Sequence, residues 1–422
     1  MQMMQIMTTD TQQFLSFTRS LFSLVLPLFF FLLGTLLARV CANPSNPSFN
    51  HSLFESLSAL VLYVTKGSPG VQTVDHFEAS LFGPFTQVLQ RDVTEFKPYV
   101  FQIFAQLLEM RKGNGISQNY WSLFQPCLTA ALWTKANIPA LSRLLTSYLI
   151  VDANTIVAQN QLQPVLGCWL KAQSMSSTQS SGFELLKALL VNVQTEAVVQ
   201  YIPTITSTLV QAMQKNMNVR FATGFLGSFW GIVIAKHGVQ SLEQSLEGMQ
   251  NGLFCQLTQQ VWCTKAKSVS NQFLRKALCI AGARMLVESP SLKQQPQLWS
   301  QVACTTIELI QMLQQNHVDT DSAEAMGAEK AQDSLLRQQS GSVGAALGGK
   351  DGADDGYAAK YAKLKYAAIV PTDYFSEISD PRVYLGQQLG SLGSSALQLM
   401  NGIPPQQQQY LKQCCQQAGV NM

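Results

Sequence analysis

Residues 98–108 read Pro98-Tyr99-Val100-Phe101-Gln102-Ile103-Phe104-Ala105-Gln106-Leu107-Leu108. Val100, Ile103, Phe104, Leu107 and Leu108 fall at i, i+3, i+4, i+7 and i+8, which places all five on one face of an α-helix. The stripes Phe77-Leu81-Phe85-Val88 and Phe221-Phe225-Phe229-Ile232 repeat the pattern on either side. No convincing run of alternating apolar and polar residues occurs, so strands are not expected. Polar or breaker-rich interruptions fall at 66–72, 111–117, 134–139, 174–182, 216–218, 236–239 and 288–297. Two of the intervening pieces with their turns span about 40–45 residues, the period of HEAT-type helical hairpins. A single hairpin cannot bury its apolar stripe alone, whereas stacked neighbours share a continuous core. The predicted fold class is therefore all-α, a HEAT-repeat α-α superhelix (solenoid). About seven hairpins are expected over residues 1–315.

Beyond them the composition shifts. Residues 316–356 are rich in Gly, Ala, Ser and Asp and read as an acidic, flexible insertion. Helical character is expected to return at Tyr357–Ala368 and Pro381–Met400, within C-terminal helical repeats over 357–422. Pro404-Pro405-Gln406 suits the start of a last, Gln-rich helix running to about Ala418.

Composition narrows the function classes. The 422 residues carry a net charge of +3 and only 13% charged side chains, with 47% hydrophobic residues. Disorder requires low hydrophobicity and high charge, so a disordered chain is excluded. The 28 Lys+Arg nearly balance 25 Asp+Glu, which excludes a strongly basic nucleic-acid binder. Low charge fits helices packed on both sides by neighbouring repeats.

The segment Leu21 to Ala38 holds no formal charge and ends before Val40-Cys41-Ala42, a small-residue site. It supports an alternative reading, a membrane-anchored or secreted all-helical protein with residues 21–38 as anchor or signal. Pro27, Gly34-Thr35, Arg39 and the long polar lead-in oppose it. Nine irregularly spaced cysteines without a C-x-x-C form neither a disulfide framework nor a zinc cluster, and single cysteines in apolar helices act as small hydrophobes. That pattern favours a reducing compartment.

Motifs with chemistry are sparse. Gly344 to Lys350 has the spacing of a phosphate-binding loop, but Asp351 replaces the required Ser or Thr, so a plain loop is expected. Gly227 and Gly231 form G-x-x-x-G in a fifteen-residue apolar run, too short for a membrane dimer motif and better suited to close helix packing. Asn50-His51-Ser52 matches a glycosylation acceptor, and Asp92 reads as turn and cap chemistry. His51, His76, His237 and His317 are scattered without metal or triad spacing. Catalytic, cofactor-binding and metal residues are all expected to be none, and the chain is read as a non-enzyme.

The run Asn43-Pro44-Ser45-Asn46-Pro47-Ser48-Phe49-Asn50-His51, then Leu53-Phe54-Glu55, resembles the CAS-type nuclear exportins. These are the importin-α re-exporters, the exportin-2 family of the β-karyopherin superfamily. The resemblance continues through Phe77-Glu78, Leu81-Phe82, Phe85-Thr86, Asp92-Val93, Glu95-Phe96 and Pro98 to Gln102. Asn137-Ile138-Pro139-Ala140-Leu141, Gly356-Tyr357, Asp380-Pro381 and Leu385 follow in the family's order. It covers most of residues 20–418 and corresponds to the C-terminal half of such an exportin. It also passes through the apolar segment, where the family has an ordinary HEAT helix.

The resemblance implies a transport receptor shuttling between nucleus and cytoplasm. Its inner helices would clamp importin-α jointly with Ran·GTP. Ran·GTP control is expected to be weak, because the main Ran-binding arch belongs to the family's N-terminal half. The matched motifs look structural, so no partner-contacting residue is carried over. The slightly basic charge departs from the acidic karyopherins.

Overall fold

A computed structural model of the chain describes residues 46–324 and 363–420 except 69 and 216, together with 32, 34–37 and 39–40. Every regular element among the described residues is helical. The chain divides into two compact units, residues 1–123 with 352–368 and residues 124–351 with 369–422.

The first unit holds α1 (Pro47–Gly67), α2 (Val71–Gln90) and α3 (Lys97–Met110), and its boundary falls within α4 (Gln118–Cys127). Asn46 accepts a hydrogen bond from the Phe49 amide at 3.1 Å, and Pro47 follows it at the helix start. A proline there presets φ and removes an amide that would lack a partner. The same device opens α3 at Pro98 and three helices of the second unit at Pro139, Pro381 and Pro405. The five stripe residues of α3 are all fully buried. Aromatic rings fill the space beside them. Phe54 stacks on Tyr99 at 4.8 Å, Phe85 meets Phe104 edge-on at 5.3 Å, and the Tyr120 hydroxyl donates to the Phe104 carbonyl at 2.9 Å. One ion-pair cluster ties α2 to the turn after α3. The Arg111 guanidinium donates to Asp75 at 2.5 Å and to Glu78 at 3.1 Å, and Ser117 donates to Glu78 at 3.0 Å.

The second unit runs through α5 (Ile138–Ala158), α6 (Leu162–Gln173), α7 (Gln179–Asn192), α8 (Ile202–Lys215) and α9, which begins at Val219–Thr223. It continues with α10 (Val239–Glu247), α11 (Leu253–Leu257), α12 (Gln272–Glu288) and α13 (Pro296–Glu324). It ends with α14 (Pro381–Gly390), α15 (Ser394–Met400) and α16 (Pro405–Gln417). Helices α5, α7, α9, α12 and α14 contact one another in succession as one layer, and α8, α10 and α11 do so in another. α5 is kinked at Asp152, whose backbone leaves the helical region. Its carboxylate then caps the second half, accepting from the Thr155 amide at 3.0 Å and hydroxyl at 2.6 Å.

α9 widens into π-helical turns over Gly224–Gly231 and Val233–His237. A strict four-residue spacing drifts around a helix of about 3.6 residues per turn and drifts less around the wider i→i+5 form. Phe221, Phe225 and Phe229 accordingly keep ring contact, with centroids 6.1 and 5.7 Å apart. The G-x-x-x-G pair packs against α12, as the sequence suggested. A Cβ on Gly227 would lie 3.1 Å from Leu274 Cδ1, and one on Gly231 would lie 3.2 Å from Leu278 Cδ2.

Several expectations shift. α13 runs to Glu324, nine residues past the array end expected at residue 315, because no Gly or Pro interrupts the chain between Pro296 and Gly327. The helix expected at Tyr357–Ala368 is not found over its described part. Residues 363–368 are irregular, since their backbone groups bond to side chains of α1 and α3 instead of to each other. Residues 369–380 are also irregular, so among the described residues the first helix after Glu324 begins at Pro381. The breaks at Asn160, Val193 and Gly248–Gly252 fall outside the interruptions read from the sequence, although Gln159-Asn160-Gln161 and Gly248 to Gly252 are polar or Gly-bounded. Asn160 takes a left-handed φ of +58°. The phosphate-loop spacing at 344–350 lies outside the described residues, as does most of 21–38. No helix among the described residues is long and apolar enough to cross a membrane.

Candidate interaction surface

Residues 363–380 form a strap, of which 363–368 lie on helices of the first unit and 369–380 on helices of the second. In the first unit the contacts are mainly to its backbone. The Leu364 amide donates to Gln102 Oε1 at 2.9 Å. The Lys365 amide donates to the Glu55 carboxylate, at 3.1 and 3.0 Å from its two oxygens. Gln106 Nε2 donates to the Tyr366 carbonyl at 3.1 Å and to the Ser58 carbonyl of α1 at 2.9 Å. Gln102 and Gln106 stand one turn apart, so a single helix face addresses alternate strap residues. Leu364 and Ala367 are the buried side chains of this part of the strap, and burial pushes the Glu55 carboxyl above its ordinary value despite the amide it accepts from.

In the second unit the strap is acidic and meets lysines. Lys276 of α12 pairs with Asp373 at 2.6 Å, and the other oxygen of Asp373 accepts from the Phe375 amide at 3.0 Å. Lys187 of α7 sits 5.6 Å from the centre of the Tyr374 ring and also pairs with Glu184. Burial alone would lower the Lys187 ammonium, but Glu184 and Tyr374 outweigh it and hold it above its ordinary value. Lys236, at the end of α9, donates to the Val191 carbonyl and feels the charge of Glu377. Its burial pushes the ammonium down. Phe375 is the buried anchor of this stretch.

Of the histidines the sequence singled out, His237 and His51 make structural contacts, and His76 is exposed. His237 Nε2 donates to the Leu190 carbonyl at 2.8 Å while Thr195 Oγ1 lies 2.9 Å from Nδ1, so the ring joins the end of α7 to the turn before α8. Burial is the main cause that holds its pKa down at about 4. His51 lies 3.5 Å from the Tyr99 hydroxyl. Asp92 adopts a left-handed φ of +57° and pairs with Lys97, so it is the turn residue expected but caps no backbone amide. Asn50 is only 3% exposed inside α1, which leaves no room for a glycan on the Asn50-His51-Ser52 acceptor. The described cysteines form no disulfide, and burial raises Cys168, Cys279 and Cys414 to about 12. Among the described residues no three His, Cys, Asp or Glu side chains group to hold a metal ion.

A family model described as "CAS/CSE protein, C-terminus" matches residues 14–414. The chain belongs to the CAS/CSE family. Exportin-2 of Drosophila melanogaster is 28% identical over 398 residues, 92% of this chain and 38% of that protein. Exportin-2 of Oreochromis niloticus is 32% identical over 290 residues, 68% of this chain and 30% of that protein. A solved structure described as the exportin Cse1 in its cargo-free, cytoplasmic state superimposes with a TM-score of 0.68 at 25% identity. It covers 92% of this chain and 38% of its own. The chain thus spans less than two fifths of the length of these relatives. The CAS/CSE match bears out the resemblance read from Asn43 to Gln102, and the Cse1 likeness bears out the HEAT-repeat fold class.

None of the strap contacts was read from the sequence. Gln102 and Gln106 were visible as two amides in an otherwise apolar helix, a pattern that asks for buried partners. Nothing in the sequence said that those partners lie 260 residues away.

Proposed function

We propose that the chain is the C-terminal part of an exportin-type nuclear transport receptor and not an enzyme. In this reading it binds importin-α together with Ran·GTP and carries it from nucleus to cytoplasm. The observation that carries the reading is the CAS/CSE match over residues 14–414. The likeness to the exportin Cse1 supports it. The layer formed by α5, α7, α9 and α12 suits such a role, because each helix can add a few polar contacts to one extended partner. Affinity would then come from many modest contacts over a wide area rather than from one pocket. Release would follow GTP hydrolysis, which removes a ligand coupled to cargo binding. Ran·GTP control of this part alone would be weak, since the main Ran-binding arch belongs to the family's N-terminal half.

Co-purification of importin-α with the chain, with and without GTP-locked Ran, tests the proposal. Retention of importin-α is expected, with little added by Ran. Absence of retention in both conditions would remove the transport role and leave the fold untouched.

A further inference from the structure

Three lysines of the second unit meet one short segment. Lys187, Lys236 and Lys276 belong to α7, α9 and α12, three successive members of one layer. Asp373 pairs with Lys276, the Tyr374 ring lies beside Lys187, and Glu377 acts on Lys236 through its charge, all from a strap stretch that is neither helix nor strand. The side chains of Lys187 and Lys276 are only 13% and 11% exposed with the strap in place. A lysine on a packed layer is costly to cover unless an anion or a ring face meets it. The strap supplies both, in the order acid, aromatic, aromatic, acid at 373, 374, 375 and 377.

Its own hold is slight. The one backbone hydrogen bond within 369–380 given by its turns runs from the Ile378 amide to the Phe375 carbonyl. Phe375 is the single deeply buried apolar side chain of the stretch, and Val370 is 61% exposed. A segment with few buried apolar contacts and charge-based attachment opens locally well before the helices beneath it. Salt weakens that attachment further.

We infer that this lysine-bearing layer is a binding site for an extended acidic peptide with aromatic side chains, and that residues 371–380 fill it in cis and compete with such a peptide in trans. The inference goes beyond the transport reading and does not depend on it. Its test uses the full chain and a peptide, so failure with importin-α and failure here are separate results.

The probe is a fluorescent peptide with the sequence of residues 371–380, beside a scrambled control, followed by anisotropy. Wild-type chain is compared with a strap-released variant, Asp373→Ala/Phe375→Ala, and with that variant carrying Lys187→Glu/Lys276→Glu. Circular dichroism checks that each is folded. The released variant is expected to bind the peptide about tenfold or more tighter than wild type, with affinity falling as salt rises. The added Lys→Glu changes are expected to abolish binding. A folded released variant that ignores the peptide, binds the scramble equally, or keeps its affinity after Lys→Glu would overturn the inference. Should the released variant not fold, hydrogen exchange on wild type decides. Strap amides at 371–380 that exchange faster with salt while α7 and α12 stay protected support the inference. Strap amides that open only with the whole unit overturn it.

Discussion

Gln102 Oε1 accepts the backbone amide of Leu364 at 2.9 Å, across 262 residues of sequence. Both groups are buried, so neither has water to fall back on, and Leu364 is 1% exposed. A residue of the helix that carries the clearest apolar stripe thus fixes a segment with no helix of its own. The link joins the repeat pattern to the strap.

Replacing Gln102 with Leu keeps the volume and deletes the acceptor. The Leu364 amide is then buried without its partner, at a cost of about 1–3 kcal/mol. Urea unfolding is expected to show a loss in that range. Hydrogen exchange is expected to show the Leu364 amide exchanging faster, while the α3 amides lose only what the global change imposes.

Gly282 of α12 faces Thr306 of α13 at closest approach. A Cβ there would lie 2.2 Å from Thr306 Oγ1 and 3.0 Å from its Cγ2, with the Thr306 hydroxyl already bonded to the Val302 carbonyl at 2.7 Å. Gly282→Ala is expected to destabilise by about 2 kcal/mol or more through overpacking. Gly282→Ala combined with Thr306→Ala removes the clashing atoms and is expected to recover most of the loss. A thermal-melt double-mutant cycle reads the coupling directly. Additive effects would contradict this packing.

His237 makes the second unit acid-sensitive. Its pKa is held near 4 against 6.5, chiefly by burial, with Lys236 and Arg284 adding to the effect. The sign follows from which state binds the proton first. Below pH 6.5 the unfolded chain protonates while the folded chain does not, so stability falls as pH drops from 6.5 towards 4. A displacement of that size is worth about 3 kcal/mol across the window. His237→Gln keeps a donor for Leu190 and an acceptor for Thr195 without titrating. Its stability is expected to be flatter over the same window in denaturant titrations.

Arg111 holds the buried Glu78 carboxylate, and burial already lifts Glu78 above its ordinary value despite that partner. Arg111→Met strands the carboxylate beside Ser117, at a cost of about 3 kcal/mol at neutral pH. Without the guanidinium the Glu78 pKa rises further. The variant therefore recovers stability relative to wild type as pH falls and the carboxyl protonates. A constant difference from neutral to acidic pH would argue against this charge accounting for the loss.

The fold was largely legible before any coordinates. Val100, Ile103, Phe104, Leu107 and Leu108 are buried as a stripe because the 3.6-residue period and burial are one constraint seen twice. Prolines at 47, 98, 139, 381 and 405 open helices because a helix start is where proline costs least. The interaction surface was not legible. The strap has no period to read, and its contacts pair Glu55 with Lys365, Gln102 with Leu364 and Lys276 with Asp373, separations that local pattern cannot carry. Ala-rich composition at 357–368 has high helix propensity, and tertiary bonds to Gln102, Gln106 and Glu55 overrode it at 363–368.

The central proposal is that this chain engages importin-α through the layer of α5, α7, α9 and α12. Hydrogen exchange of the full chain, alone and saturated with importin-α, tests it most directly. Slower exchange at α5, α7, α9 and α12 is the predicted result. Absence of saturable binding, or protection confined to α2, α8 and α10, would contradict it.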